Sequence, residues 1–396
     1  MNKWIKVKIS DLGQVVGGAT PSTKVDEYYN GDISWITPKD LSDYKGRYIA
    51  RGERNITKAG MDSCSTQLLP KNTVLFSSRA PIGYVAIAEK EMCTNQGFKS
   101  VIPNENVDYL FLYYLLKYNK DKIEAMGSGT TFKEVSGNTM RNVEVVIPES
   151  KDIQKKIAAV LDSIDSKIEN NQKINNNLEE QISSLFVNMF GSAIDSLNDS
   201  DVKLGDLIDS VDNRGKTPPL SGEPTSYPII DVRALSGNSR IIDYNNCTKY
   251  VSEETYKTWF RSGHPQAYDI LISTVGSLAE MKIFLGETGC IAQNVVGFRT
   301  KGISPLYLYQ YLNYIKNDLV AYNIGSVQPS IKVTHIIKHA IYVASQEDID
   351  AFNNIARSMT EQIFANCKEN ESLKQMRETL LPKLMSGEID ISSIEI

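Results

Sequence analysis

Cysteine and histidine are scarce in this chain of 396 residues. The five cysteines, Cys64, Cys93, Cys247, Cys290 and Cys367, contain no C-x-x-C pair, and the three histidines all lie in the second half. A disulfide framework and a zinc site are therefore disfavoured, and the composition fits a reducing cytoplasm. Cys93 and Cys290 stand in apolar strings, so we expect both in the core.

Long apolar runs are also missing. No stretch reaches the roughly 18 uninterrupted apolar residues of a membrane-spanning helix, and the first residues lack the apolar segment of a signal peptide. No membrane partner is therefore expected. The net charge is −5, of which residues 151–200 contribute −3 and residues 346–396 contribute −5. Because the rest of the chain is slightly basic, the average charge does not exclude nucleic acid as a partner.

Complete catalytic and nucleotide-binding motifs are absent as well. Gly215-Lys216-Thr217 ends like a P-loop, but Ser210 stands where the first glycine is needed. Asp269, Glu280 and Lys282 have the spacing of a metal-dependent nuclease, but the matching region of the first half lacks these residues. We therefore predict no catalytic residue, no metal ligand and no cofactor site in this chain.

An internal repeat is the strongest positive signal. Six short strings recur in the same order at an offset of about 194–196 residues, beginning with VKISDL at 7–12 and VKLGDL at 202–207. The last pair is LFVNMFG at 185–191 and LPKLMSG at 381–387. This ordered recurrence indicates a tandem duplication.

Each copy begins with a part that favours a compact α+β domain. Strands are predicted at NTVLFSS, YVAIAE and VEVVIP in the first copy, and at DILIST, MKIFLG and HAIYVA in the second. One amphipathic helix is predicted over residues 107–126, and its counterpart over residues 304–322.

Each copy ends in a predicted long helix, over residues 149–190 and residues 345–385. Apolar residues at three- and four-residue steps form a narrow stripe along each helix, with a wider gap through NNQKINNN at 170–177. The stripe of the second helix is predicted to contain Ile349, Phe352, Ile355, Met359, Ile363, Leu373 and Leu380. A helix of this length extends roughly 55–60 Å and needs a partner; the other copy is the obvious one, in antiparallel orientation.

Several motifs carry a resemblance to a known family. GGATPSTKVDEYYNGDISWITPKDL at 17–41 resembles the start of the target recognition domain of type I restriction-modification specificity subunits. LFSSRAPIGYVAI, TNQGF and GSGTTFKEVSGNTMRNVEVVIP resemble later segments of that domain, and IQKKIAAVLDSIDSKI and LLPKLMSGEIDI resemble the spacer helices and tail. The resemblance covers essentially the whole chain.

The resemblance implies an α+β fold with two tandem globular target recognition domains. Two long helices, packed as an antiparallel coiled coil with pseudo-twofold symmetry, are expected to separate them. The expected bounds are residues 1–150 for the first domain, 151–195 for spacer helix 1, 196–345 for the second domain, and 346–396 for spacer helix 2 with the C-terminal tail.

The resemblance also implies a function. Such a subunit is expected to be the sequence-specific DNA-recognition component of a type I restriction-modification complex. Each domain reads one half of a bipartite asymmetric target, and the helices set the gap. The implied partners are double-stranded DNA, two modification (methyltransferase) subunits and restriction (translocase/nuclease) subunits. S-adenosylmethionine, ATP and Mg belong to those partners, so this chain is expected to be non-catalytic.

Candidate DNA-contacting residues follow from the chemistry of base reading, which uses Arg or Lys, Asn or Gln, and small polar groups. In the first domain they are Thr20, Ser22, Lys39, Arg47, Tyr48, Arg51, Arg54, Arg79, Ser128, Thr130, Thr131 and Lys133. In the second domain they are Arg214, Lys216, Thr217, Arg233, Arg240, Ser277, Gln328, Ser330 and Lys332. Val275 stands where the first copy has Arg79, so we expect the two domains to read different sequences.

Two alternatives stay open at this level. The chain is also compatible with a coiled-coil protein–protein scaffold that carries two binding domains. It is further compatible with a specificity protein that serves in gene rearrangement.

Overall fold

The computed structural model describes residues 3–42, 44–79, 81–129, 133–197 and 199–391. The chain divides into two compact units. Unit 1 contains Met1–Glu169 and Glu371–Ile396, and unit 2 contains Asn170–Asn370. Each unit therefore includes part of both long helices.

Unit 1 is built from three sheets and short helices. Its strands are β1 (Trp4–Lys8), β2 (Gly13–Gly17), β3 (Tyr29–Ile36), β4 (Tyr48–Ile49), β5 (Asn55–Ile56), β6 (Val74–Ser78), β7 (Ile82–Ala88), β8 (Cys93–Thr94), β9 (Lys99–Pro103) and β10 (Glu144–Pro148). Its helices are α1 (Ile9–Leu12), α2 (Lys58–Asp62), α3 (Tyr109–Tyr118), α4 (Lys120–Ala125), α5 (Gly137–Asn142) and the first part of α6 (Lys151–Phe186).

The five-stranded sheet β2-β9-β6-β7-β4 is the centre of unit 1. The sheets β5-β3-β8 and β1-β10 complete the unit. Phe76 of β6, Phe111 of α3, Leu161 of α6 and Leu384 from the end of the second long helix share one buried cluster. The core of this unit thus includes both long helices.

Unit 2 has fewer and shorter strands. They are β11 (Ile208–Val211), β12 (Ile229–Ile230), β13 (Ile270–Ser273), β14 (Met281–Ile283), β15 (Cys290–Ile291) and β16 (Val295–Thr300). Its helices are α7 (Ser192–Asp195), α8 (Val232–Leu235), α9 (Glu253–Thr258), α10 (Pro305–Tyr314), α11 (Lys316–Ala321) and α12 (Val333–Ile336), with α13 (Gln346–Met385) as the second long helix. The main sheet has the order β11-β16-β13-β14, and β12 pairs with β15.

The predicted strands at NTVLFSS, YVAIAE, VEVVIP, DILIST and MKIFLG are confirmed, as β6, β7, β10, β13 and β14. The strand predicted at HAIYVA is wrong, because residues 339–344 make only one bridge, between Ala340 and Lys203. In unit 1 the corresponding segment pairs over five residues with β1. In unit 2 Ser200 turns its hydroxyl to Ile341 O at 3.0 Å, and such side-chain bonds compete with a strand ladder.

The amphipathic helix predicted in each copy is interrupted. In unit 1 it forms α3 and α4, with a break at Asn119 whose side chain donates to Leu115 O at 2.8 Å. In unit 2 it forms α10 and α11, with a break at Ile315. The side-chain amide of Asn119 adds a second hydrogen bond to the Leu115 carbonyl, which also accepts from the Asn119 backbone N–H at 3.0 Å. Hydrophobic periodicity does not report such a local cap.

Both long helices are confirmed, as α6 and α13, and they pair in antiparallel orientation. In unit 2 Asn171 donates to Asn370 Oδ1 at 2.9 Å, and Asn366 donates to Asn175 Oδ1 at 2.7 Å. Rising numbers on α6 therefore meet falling numbers on α13. The gap in the apolar stripe is thus filled by buried, mutually hydrogen-bonded asparagines, a device that specifies helix register.

The predicted apolar stripe of α13 is wrong at one residue, Ile355. Ile355 is 44% exposed, whereas its neighbour Ala356 is fully buried. The packed face of α13 therefore includes Ala356, and the bulkier isoleucine lies outside it.

A stacked histidine makes the stability of unit 2 pH-dependent. His264 lies on the Tyr256 ring with centroids 3.7 Å apart, its Nε2 is 2.8 Å from Tyr256 O, and its buried Nδ1 has no hydrogen-bond partner. Burial lowers the pKa of His264 below its ordinary value. The unfolded imidazole binds a proton near pH 6.5, and the folded one binds it only at lower pH. This contribution to the free energy of unfolding is therefore fully present above about pH 6.5 and is lost as the pH falls below that value.

We expect His264→Phe to reduce this acid sensitivity, because phenylalanine keeps a ring on Tyr256 and has no proton to bind. Urea unfolding of wild type and variant at about pH 7.5 and about pH 5.5, on either side of the free imidazole pKa, measures the effect. An equal loss of stability in both proteins would contradict it.

Candidate nucleic-acid interface

In unit 1 the loops that follow strands β2, β3, β6 and β8 lie against one another. Ser78 at the end of β6 donates to Gly97 O at 2.7 Å, Asn95 after β8 donates to Ile36 O at 2.9 Å, and Ala19 after β2 donates to Thr94 O at 3.1 Å. Gly18 permits this approach, since a Cβ there would stand 2.1 Å from Thr94 O. We call this edge the unit 1 loop edge; it comprises residues 17–22, 36–39, 78–79 and 94–97.

Further segments join the unit 1 loop edge. Glu134 bridges to both Arg79 and Ser128, and Val135 donates to Ser78 O at 2.9 Å. These contacts place Ser128 and the exposed Lys133 at this edge. The two other candidates of this segment, Thr130 and Thr131, lie outside the described residues.

Residues 51–54 also lie at the unit 1 loop edge. Glu53 donates its backbone N–H to Asp40 Oδ1 at 2.7 Å and pairs with Lys39 at 2.8 Å. Lys39, Arg51 and Arg54 are exposed there, as is Ser22, whereas Thr20 is half-buried. Most of the unit 1 candidates are therefore brought together on one surface.

Arg47 and Tyr48 lie elsewhere. Ile87 near the end of β7 donates to Arg47 O at 2.8 Å, whereas the loop edge adjoins Ile82 at the start of that strand. Five strand residues span about 17 Å. Arg47 is 5% exposed, and its side chain binds Glu169 of α6 through Nε at 2.8 Å and Nη2 at 3.0 Å. Arg47 is therefore withdrawn from the candidate set, because carboxylates engage its guanidinium. Tyr48 is withdrawn because it pairs with Ile87 at the far end of β7, where its hydroxyl lies 3.4 Å from that of Tyr109.

Unit 2 has a similar edge, formed by the loops that follow β11, β13 and β15. Thr274 donates to Asn294 O at 2.8 Å, and Ile331 donates to Thr274 O at 2.9 Å. Gln293 Nε2 donates to Thr217 Oγ1 at 3.0 Å. We call this edge the unit 2 loop edge; it carries the candidates Thr217, Ser277, Gln328, Ser330 and Lys332.

A cleft with cationic and aromatic walls lies beside the unit 2 loop edge. It is lined by Arg214 and Lys216, by Asp212, which pairs with Arg214, and by Trp259, Arg261 and Ser262 from the segment after α9. Asn213 joins the two walls, since it donates to Gly263 O at 2.9 Å and accepts from the Ser262 backbone N–H at 2.9 Å. This cleft combines positive charge with an exposed ring, features that suit a nucleic-acid backbone and a base face.

Arg240 is the counterpart of Arg47 and is withdrawn with it. Its side chain is 1% exposed, and its Nε and Nη1 donate at 2.9 Å to Glu179 of α6 and at 2.9 Å to Thr360 of α13. Ile283, opposite Ile270 at the start of β13, donates to Arg240 O. Arg240 thus lies at the far end of β13 from the unit 2 loop edge. Arg233 is exposed, but it pairs with Asp231 at 3.0 Å.

Comparison with known proteins decides the family. Residues 1–180 match the family model of the type I restriction modification DNA specificity domain. The chain is 32% identical to the type I restriction enzyme MjaIX specificity subunit of Methanocaldococcus jannaschii, over 99% of this chain and 94% of the relative. The chain belongs to the type I restriction-modification specificity subunit family.

A second relative agrees with this assignment, and a solved structure agrees with the fold. The type I restriction enzyme HindI specificity subunit of Haemophilus influenzae is 29% identical over 42% of this chain and 38% of the relative. The crystal structure of a type I restriction-modification system S subunit from M. genitalium has a TM-score of 0.62 and 18% identity, covering 97% of this chain and 96% of that one. This structural similarity confirms the α+β fold with paired long helices.

Sequence reasoning missed several residues of these edges in this specificity subunit. Trp259 is 37% exposed and Val327 is 98% exposed. Both were missed because the candidates were chosen among polar and charged residues and tyrosine. Arg261 and the glutamines Gln96 and Gln293 were also not among the candidates. The recurrence of glutamine at the same place in both copies was the signal that could have identified Gln96 and Gln293.

The nuclease-like carboxylates of this specificity subunit do not converge. Asp269 stands opposite Phe284 and Glu280 stands opposite Ser273 in the β13–β14 pair, which separates them by about 13 Å along the strand. Asp269 binds Arg299 at 2.8 Å, and Glu280 binds Lys316 at 2.9 Å. Within the described ranges no three His, Cys, Asp or Glu residues are grouped to hold a metal ion, and no helix there is long and apolar enough to cross a membrane.

Proposed function

We propose that this chain is the DNA-reading subunit of a type I restriction-modification complex. Residues 1–150 and 196–345 are the two target recognition domains, and each reads one half of a bipartite, asymmetric target. The segments 151–195 and 346–396 hold the two domains at a fixed spacing along the duplex. The observation that carries this proposal is that the loop edge, with its threonine, glutamine and exposed cations, is built twice.

The two loop edges have the chemistry that duplex reading requires. Arg and Lys bind phosphate and guanine, Gln binds adenine, and hydroxyls bind either. The proposed contact set contains the described candidates other than Arg47, Tyr48 and Arg240: Thr20, Ser22, Lys39, Arg51, Arg54, Arg79, Ser128, Lys133, Arg214, Lys216, Thr217, Arg233, Ser277, Gln328, Ser330 and Lys332. Loss of one bidentate base contact should cost about 1–3 kcal/mol and relax specificity at one position.

The chain supplies recognition, and its partners supply the chemistry. Two modification subunits carrying S-adenosylmethionine methylate adenines on either half of the target, and restriction subunits with ATP and Mg join them in the cytoplasm. This division is consistent with acidic groups that are paired with cations at separate places, as for Asp269 and Glu280.

Heptad insertions test the spacing role. One heptad inserted within residues 170–178 of α6 and one within the facing residues 363–371 of α13 should lengthen the unread gap and leave both half-site sequences unchanged. This segment lies between Glu169 and Glu179, so each buried arginine keeps its own helical anchor. A heptad shifts the apolar stripe by only about 20°, so the helix pair is retained. Long-read methylation mapping in cells provides the measurement.

The matched control places seven residues between Gly222 and Glu223, in a loop where a Cβ on Gly222 would meet no atom within 4 Å. This insertion should leave gap and half-sites as they are. Changed half-sites with an unchanged gap in the helix variant would contradict the spacing role.

The scaffold alternative is separated from DNA reading by a gel shift with random duplex and with duplex of the methylated sequence, each with and without the modification subunit. Preference for the methylated sequence supports DNA reading. Equal or absent binding to both duplexes in the presence of that subunit supports the scaffold.

A further inference from the structure

A threonine–glutamine pair occurs at the same place in both units. In unit 1 Thr20 Oγ1 donates to Gln96 Oε1, and in unit 2 Gln293 Nε2 donates to Thr217 Oγ1 at 3.0 Å. The threonines are 197 residues apart, and so are the glutamines. The matched threonine and glutamine of each copy therefore contact each other. The threonine lies in the loop after β2 or β11, and the glutamine lies in the loop before β9 or β16.

The surrounding residues differ. The loop TNQGF at 94–98 of unit 1 corresponds to IAQNV at 291–295 of unit 2, and only the glutamine is common to both. Both glutamines are exposed. An exposed polar pair adds little to folding, because both groups are also well hydrogen-bonded to water in the unfolded chain. Packing therefore does not explain why this residue is common to the two loops.

The pair orients a flexible side chain. The threonine hydroxyl can donate or accept: in unit 1 it donates to the amide oxygen of Gln96, and in unit 2 it accepts from one amide N–H of Gln293. Both amide N–H groups of Gln96 and the second amide N–H of Gln293 are then available to a ligand at the exposed loop edge. A side chain held in this way loses less rotamer freedom when it binds a ligand than a free one does.

We propose that each pair is a fixed phosphate clamp, in which Gln96 and Gln293 donate to a DNA backbone phosphate. This inference rests on the proposed function. Two domains that read different half-sites need different base contacts, as the exchange of Arg79 for Val275 illustrates. What every half-site shares is its sugar-phosphate backbone, and uncharged amides and hydroxyls are common donors to it. A group that both edges share is thus suited to the backbone, and it sets the depth at which the variable loops meet the bases.

The test uses the full chain assembled with its modification subunit. Gln96→Glu and Gln293→Glu preserve shape but turn a donor into a negatively charged acceptor. Each should weaken binding to the methylated sequence about tenfold or more, since a hydrogen bond to a charged group is lost and a like charge is added. Binding to unrelated duplex should weaken by the same factor, and the methylated motif should keep every position. Thr20→Val, which frees the Gln96 amide, should weaken binding less than Gln96→Glu and also preserve the motif.

Gln14→Glu and Gln266→Glu are the matched controls. Gln14 stands near the start of β2, and Gln266 lies in the segment before β13, so both are at the opposite ends of these strands from the loop edges. They should bind as the wild type does. A relaxed motif position in a Gln96 or Gln293 variant would identify a base reader and overturn the clamp, and so would unchanged affinity. If the wild-type complex does not prefer its methylated sequence, the proposed function itself fails.

Discussion

Replacing Arg240 with methionine is expected to lower the free energy of unfolding of unit 2 by about 3–5 kcal/mol. The guanidinium is 1% exposed, and it donates to Glu179 at 2.9 Å and to Thr360 at 2.9 Å. Its carbon Cζ also lies 5.5 Å from the centroid of the Tyr309 ring. Methionine fills part of the volume but leaves the Glu179 carboxylate, whose side chain is 15% exposed, without its charged partner. Urea unfolding of the full chain measures the difference.

Arg233→Met is the matched control, because Arg233 pairs with Asp231 at 3.0 Å at the surface, with 56% of its side chain exposed. An exposed ion pair contributes about 0–1 kcal/mol. The double variant Arg240→Met with Glu179→Leu should recover part of the lost stability, since no carboxylate is left unpaired. If Arg240→Met costs no more than Arg233→Met while DNA affinity falls, the buried-anchor role is wrong and the residue contacts DNA.

Phe186→Ala is the second large change, with an expected loss of about 3–5 kcal/mol. Phe186 is the last residue of α6 and fully buried. Its ring centroid lies 5.2 Å from that of Phe190, 5.6 Å from Tyr307 and 5.5 Å from Phe352. Truncation leaves a cavity where α6, α10 and α13 meet in unit 2, and the aromatic pair contacts are lost as well.

Val187→Ala is the control, because it truncates a side chain to alanine at the neighbouring position in the sequence. Val187 is 42% exposed, so its truncation should change the unfolding free energy by less than about 0.5 kcal/mol. Thermal or urea unfolding of both variants decides the comparison. A Phe186→Ala cost as small as that of Val187→Ala would show that the aromatic cluster does not hold the helices to the domain core.

The loop edges were partly predictable. Glycine-bounded loops rich in hydroxyls and cations identified Lys39, Arg79 and Lys216, which lie exposed or half-buried at or beside the edges. The same criterion selected Arg47 and Arg240, which are buried against α6. A basic residue in a loop has the same local signature in both situations, and only the acids that face it across the fold, Glu169 and Glu179, distinguish them.

The sequence by itself determined the duplication, the positions of the two long helices and the family. Those features depend on order and periodicity along the chain, which are local and repeat over many residues. The tertiary structure alone decided which arginines are exposed, how asparagines 171, 175, 366 and 370 fill the gap in the apolar stripe, and that residues 339–344 form no strand. Each of those outcomes depends on a partner at least 61 residues away, whose identity no local pattern encodes.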